Sequence, residues 1–277
     1  MEPFVYQNMG GLPLFSLDSW QKEFPHLVVG FSARNDKEDW NACNYALHVG
    51  GNPERVIHNR KRLANELGMS FASWTCGEQV HGVHIEIVHS SQRGKGCDTR
   101  ETAFQDTDGL LTGESDVLLT SYYADCVPLY FYSPDLDWIG VAHAGWKGTV
   151  GKIGVRMVEK LLELGADLNH IRVAIGPSIG ACCYEVDERV IHPLQEALKT
   201  KELPSELAKP NPNGKWQLNL KQANAAILRR IGINPRHILI SSWCTSCSTD
   251  HFYSHRRDQG KTGRMVAWIG KKERGSS

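Results

Sequence analysis

Three strand-like runs follow one another with no helix between them: Val117 to Tyr123, Val127 to Tyr132 and Trp138 to Ala142. A chain that alternates strand and helix makes a parallel, doubly wound sheet; one that strings strands together makes antiparallel pairs. Further runs of this kind cover Val83 to Val88, Ile171 to Ile175, His237 to Ser241 and Met265 to Ile269. The expected fold class is therefore mixed α/β with α+β character, a mixed or antiparallel sheet covered by helices.

Three helices are expected around it. One starts at the N-cap and first-turn proline Asn52-Pro53, turns Val56, Leu63 and Leu67 inward and stops near Gly68. A second follows Gly148 with Ile153, Met157, Val158, Leu161 and Leu162 before Gly165. The third runs from Asn219, with Leu220, Ala223, Ile227 and Ile231 inward, to Gly232. The one linker-like stretch, Lys209 to Gly214, is short enough to be a surface loop, so residues 1–277 are expected to form a single catalytic domain.

Lysine plus arginine and aspartate plus glutamate both number 31, a net charge of zero. That lacks the basic surplus of a non-specific nucleic-acid binder and favours a small-molecule partner. No apolar run reaches the roughly 18 residues of a spanning helix, and the first residues have neither a basic nor an apolar leader region. The expectation is a cytoplasmic chain without membrane or nucleic-acid partners, monomer or homodimer. Its eight cysteines then sit in a reducing compartment as thiols, metal ligands or buried fillers.

Three polar residues end apolar strands beside glycine or a turn: His81 in GEQVHG, Cys126 in YYADCVP and His143 in GVAHAGWKG. Strand ends beside loops let a rigid sheet aim side chains into a cleft. Two ring nitrogens and one thiolate make a three-ligand set that leaves zinc an open position, where a water's pKa falls to about 7. The gaps of 45 and 17 residues between them are unlike a zinc finger, so spacing adds nothing.

The wording of the segments adds more. CNYALHVGGN, GEQVHG, DTDGLLT, ADCVPLYF, VAHAGWKGT, AIGPSIGACCYEV, CTSC, and FYSHRRD with TGRM occur in this order. Together they resemble the YfiH/YlmD family, once called laccase-like polyphenol oxidases and now described as purine nucleoside phosphorylases, and its YlmD-type members most closely. The resemblance covers about residues 28 to 270. It implies a layered sandwich related to the catalytic domain of cytotoxic necrotizing factor, with zinc held by His81, Cys126 and His143. It also implies phosphorolysis of adenosine, inosine and methylthioadenosine, and deamination of adenosine. Copper-dependent phenol oxidation is attributed to some members.

Around these residues, Asp125 and Gln79 could polarise a metal-bound water or hydrogen-bond a purine edge, or serve only as turn contacts. Lys147, entering a helix start with Gly148, and the basic group His255, Arg256 and Arg257 could hold phosphate, though solvated surface charge is the plainer alternative. Asn44 and His48 could bind substrate or merely satisfy their loop. Cys244 and Cys247 form one CxxC without a second pair of suitable spacing, and the adjacent Cys182 and Cys183 do not suit an unstrained bridge to each other, so both pairs are taken as structural. Three other functions compete with a zinc nucleoside enzyme. A copper oxidase would need many more histidines, usually in His-X-His pairs, which the chain lacks. A thiol hydrolase, of the kind that would edit a peptidoglycan precursor, would use Cys126 with His143 as base. A non-catalytic binding module would turn over no nucleoside.

Overall fold

The computed structural model describes residues 1–35, 39 and 41–272. Numbered along the chain, the first six-stranded sheet has the order β1 (Phe4–Met9), β2 (Leu12–Leu17), β3 (Leu27–Ser32), β15 (Met265–Lys271), β7 (Leu118–Tyr123) and β4 (Trp74–Cys76). Its neighbours are antiparallel except β4 with β7. The second six-stranded sheet has the order β14 (Ile238–Ile240), β10 (Arg172–Ile175), β8 (Val127–Ser133), β9 (Trp138–Ala144), β6 (Gly109–Thr112) and β5 (Ile85–Ile87). It is antiparallel in the middle and parallel at both edges. A small sheet of β11 (Glu185–Val186), β13 (Trp216–Leu218) and β12 (Ala208–Pro210) lies outside them. The mixed α/β class read from the sequence is the one observed.

Alternation along the strands stacks the layers. On β7, Leu118 and Tyr122 face a core shared with α2 (Pro53–Glu66), while Leu119 and Tyr123 face the second sheet. On β8, Tyr130 and Tyr132 meet that intersheet core, and Val127, Leu129 and Phe131 point the other way. There they pack on α4 (Ile153–Glu163), α5 (Glu188–Leu198) and α6 (Leu220–Arg230). Both sheets are thus covered on both faces, which is why their strands read as continuous apolar runs. A short α1 (Asp18–Glu23) packs beside β3.

The Asn52 side chain caps α2 by accepting from the N–H groups of Glu54 and Arg55 at 2.9 and 3.2 Å, worth about 1 kcal/mol. Gly68, at φ +68°, ends that helix in the left-handed region that other residues resist. The helix expected after Gly148 is two pieces: α3 (Trp146–Val150) contains that glycine, and Lys152 at φ 62° separates it from α4. Lys209 and Pro210 extend the β12–β13 hairpin, so only its turn is loop. No described helix is long and apolar enough to cross a membrane.

Candidate metal centre

The chain changes sheets between β7 and β8, and Ala124, Asp125 and Cys126 make that passage. Asp125 adopts φ 87°, a left-handed turn that brings the chain across. The strand after it pairs with β9 so that Pro128 faces His143 and Val127 faces Ala144, which sets Cys126 beside the histidine. His81 comes from the loop after β4, and its ring centroid lies 4.8 Å from that of His143. The ligand atoms of His81, Cys126 and His143 all fall within 4.8 Å of one another.

Asp108, just before β6, organises this group. Its fully buried carboxylate accepts His143 Nδ1 at 2.8 Å and the successive N–H groups of Val80, His81 and Gly82 at 3.1, 3.1 and 2.7 Å. These bonds hold His81 at its left-handed φ of 61°. With Nδ1 of His143 occupied by a carboxylate, Nε2 is the nitrogen left for a metal, the arrangement metal-binding histidines commonly show. Burial raises the Asp108 pKa, but His143 and the N–H donors outweigh it and hold the carboxylate below its ordinary range. Although Cys126 is only half-buried, surrounding protein pushes its thiol up; the charges and hydrogen bonds of His143 and His81 more than reverse this, to about 6. Burial lowers His143, while Cys126 and Asp108 raise it. Gly145 leaves the group its space: a Cβ there would stand 3.0 Å from the His81 ring and 3.1 Å from Cys126 Sγ. Two nitrogens and a sulfur converging in this way suit a tetrahedral ion with one open position.

Asp108 was not singled out from the sequence, although it lies within the DTDG segment; a carboxylate that supports a ligand carries no spacing signature. Asp108→Asn should therefore weaken metal retention by about 10 to 100-fold. The amide keeps the shape but turns an N–H toward the backbone donors or the His143 ring. Metal titration of the purified variant measures this, and unchanged affinity would show that the carboxylate is dispensable.

The group opens into a cavity of about 490 Å³ lined also by His48, Gln79, Tyr122, Asp125, Trp146, Ile179, Tyr184, His255, Arg256 and Arg264. That volume suits a ligand of nucleoside size. Gln79 lines it while both ends of its amide bind the Tyr122 backbone, at 2.8 and 3.1 Å. The Asp125 carboxylate accepts from Thr245 Oγ1 at 2.6 Å, Ser254 Oγ at 3.0 Å and the Arg256 N–H at 2.7 Å, so it shapes the rim. Arg256 lies over the Tyr184 ring, 5.1 Å from its centroid.

Three expected residues stand elsewhere. Arg257 gives its guanidinium to Asp258 and to the carbonyls of Thr245, Ser246 and Phe252. Lys147 borders a separate depression with Val150 and Glu196. Asn44 is buried, and its Oδ1 accepts from the Ala46 and Arg264 N–H groups. Arg264 was missed, although TGRM carried it. Its Nη1 donates to the Thr262 and Gly263 carbonyls, and among the described residues Nε and Nη2 have no acceptor. A second group also forms: Cys182, Cys183, Cys244 and Cys247 come together, correcting the expectation that the CxxC lacks a second pair.

Residues 28–272 match the family described as multi-copper polyphenol oxidoreductase laccase. The chain is 43% identical over 258 residues to purine nucleoside phosphorylase YlmD of Geobacillus stearothermophilus, covering 90% of this chain and 92% of the relative. It is 40% identical to the protein of the same name in Bacillus subtilis, covering 89% of each. The crystal structure of YlmD from Geobacillus stearothermophilus superposes with a TM-score of 0.89 at 40% identity, covering 99% of this chain and 100% of that one. A hypothetical protein YfiH from Bacillus licheniformis gives 0.88 at 36% identity, covering 96% and 99%.

Proposed function

Because the chain belongs to that family, we propose that it is a zinc-dependent enzyme that cleaves purine nucleosides with phosphate, releasing free base and ribose 1-phosphate. One observation carries this: the donors His81, Cys126 and His143, an aromatic wall and the guanidinium of Arg264 share one cavity. The relatives' names supply the substrate class.

Zinc, held by His81, Cys126 and His143, would supply Lewis acidity. The chain's own residues do the placing. Trp146 and Tyr184 line the cavity with aromatic surface against which a purine would pack. Arg264, with His255 and Arg256 at the rim, presents a cationic fork to phosphate. Its oxygen forms a bond to C1′ of the ribose as the bond from C1′ to the base breaks, and the base leaves with the electron pair and takes up a proton. Ile179 beside the aromatic residues gives an apolar surface suited to the methylthio group of methylthioadenosine as well as to adenosine and inosine. Hydrolytic deamination of adenosine belongs to the same proposal, as do a single catalytic domain and a cytoplasmic location.

Copper chemistry of the multicopper kind fits the donors poorly. Among the described residues, the only histidine-containing metal group has two histidines and one cysteine, whereas such a cluster needs many histidines. A second reading has geometric support: Asp108, His143 and Cys126 form a carboxylate, base and thiol relay such as a thiol hydrolase uses. His81 has no task in that relay, which favours the metal.

The test is inosine turnover by zinc-loaded protein with and without phosphate. Hypoxanthine and ribose 1-phosphate should appear together, at a rate that rises and saturates with phosphate and disappears on chelation. Free ribose formed without phosphate would refute phosphorolysis, and full activity after chelation would favour the thiol.

A further inference from the structure

The parallel pairing of β10 with β14 runs on past the strands. Beyond Ile175 facing Ile240, Ser241 N–H donates to the Ile175 carbonyl at 2.8 Å, Ser178 bridges Cys244, and Thr245 N–H donates to the Ser178 carbonyl at 3.1 Å. This continued ladder carries two loops side by side and lays Cys182 and Cys183 of one on Cys244 and Cys247 of the other. Cys247 Sγ lies 3.4 Å from Cys182 Sγ and 3.2 Å from Cys183 Sγ, and all four sulfurs fall within 4.8 Å of one another.

We propose that Cys182, Cys183, Cys244 and Cys247 form a second metal site, a tetrathiolate that binds one zinc ion and ties the two loops together. Four thiolates around zinc at about 2.3 Å stand about 3.8 Å apart, longer than the 3.2 and 3.4 Å contacts of Cys247 and inside the 4.8 Å within which all four sulfurs fall. A disulfide would use two of the sulfurs and set Cys182 against Cys183 as rival partners of Cys247, whereas one ion engages all four. The surroundings suit the charge such a site carries. Gly180 N–H donates to Cys244 Sγ at 3.2 Å, and the buried Lys221 donates its ammonium to the carbonyl of Trp243, the residue before Cys244. Gly180 is also needed for room, because a Cβ there would stand 3.2 Å from Cys182 Sγ and 3.3 Å from Cys244 Sγ.

The two loops frame the cavity described above. Ile179 lines it, the Thr245 hydroxyl holds Asp125, and the Thr245 and Ser246 carbonyls hold Arg257. An ion in the tetrathiolate therefore fixes one side of the pocket without touching substrate. The proposal is independent of which reaction the pocket performs.

Protein purified with zinc under reducing conditions should contain two zinc ions per chain. Cys126→Ala and Cys247→Ser should each retain one, and the double variant none. Cobalt(II) in the Cys126→Ala protein should show the intense near-ultraviolet thiolate charge transfer of a tetrahedral sulfur site, which tests the proposal even if Cys247→Ser does not fold. Wild-type protein with one zinc that disappears entirely in Cys126→Ala would overturn it. So would a disulfide among these cysteines in the intact mass of reduced, zinc-equilibrated protein.

Discussion

Cys126→Ala is expected to lose the zinc of the His81, Cys126 and His143 group and, with it, nucleoside cleavage, by more than the roughly 100-fold that removing a supporting residue costs a metal site. The sulfur is the only thiolate in the group, and the two remaining imidazoles cannot close a stable site alone. The same loss should follow His143→Ala, with a difference that separates the two. That variant also takes from the fully buried Asp108 carboxylate its one side-chain partner, leaving the three backbone N–H donors, so it should be less stable by about 1.5 to 3 kcal/mol, whereas Cys126→Ala leaves the Asp108 bonds intact. Metal content, turnover and thermal unfolding measured together distinguish a missing ligand from a damaged fold. A Cys126→Ala protein with full zinc occupancy at this group would sink the assignment.

Arg264→Met is expected to raise the phosphate concentration needed for half-maximal phosphorolysis by about 10 to 100-fold, the worth of one lost charge-assisted hydrogen bond of about 1.5 to 3 kcal/mol. Deamination of adenosine, which consumes no phosphate, should change much less. Lys147→Met should barely alter either reaction, because that side chain lies outside the cavity. Arg257→Met should lower stability instead, since its guanidinium is committed to Asp258 and three backbone carbonyls. Equal losses of phosphorolysis and deamination in Arg264→Met would place this residue at the purine or in the fold, not at phosphate.

The layers of this fold were legible where apolar runs are long. β7, β8, β9 and β15 stand within a residue or two of their expected bounds because both faces of each are buried. α5 escaped notice because Pro193 sits inside it, removing a backbone donor that a helix interior ordinarily needs. The candidate ligands His81, Cys126 and His143 were singled out through the wording of their segments, since gaps of 45 and 17 residues say nothing until β8 folds back on β9 and the three side chains come together. Asp108 and Arg264 act through contacts made only after folding, one beneath a ligand and the other held by Asn44 from a distant turn. The tetrathiolate depends on a parallel pairing of β10 with β14, and no local pattern announces which distant strands will pair.

The position of β15 governs how this protein can be made. The last strand of the described residues lies between β3 and β7, in the interior of the first sheet. On a ribosome, every ligand up to His143 has been synthesised long before Met265 to Lys271 emerge, yet β7, whose end leads into Cys126, still lacks the neighbour it pairs with along its whole length. The closing contacts span nearly the full sequence and are slow to form for that reason. The convergence of His81, Cys126 and His143 is therefore a property of a chain made through β15, and a shorter nascent one offers cysteines and histidines without the frame that aligns them.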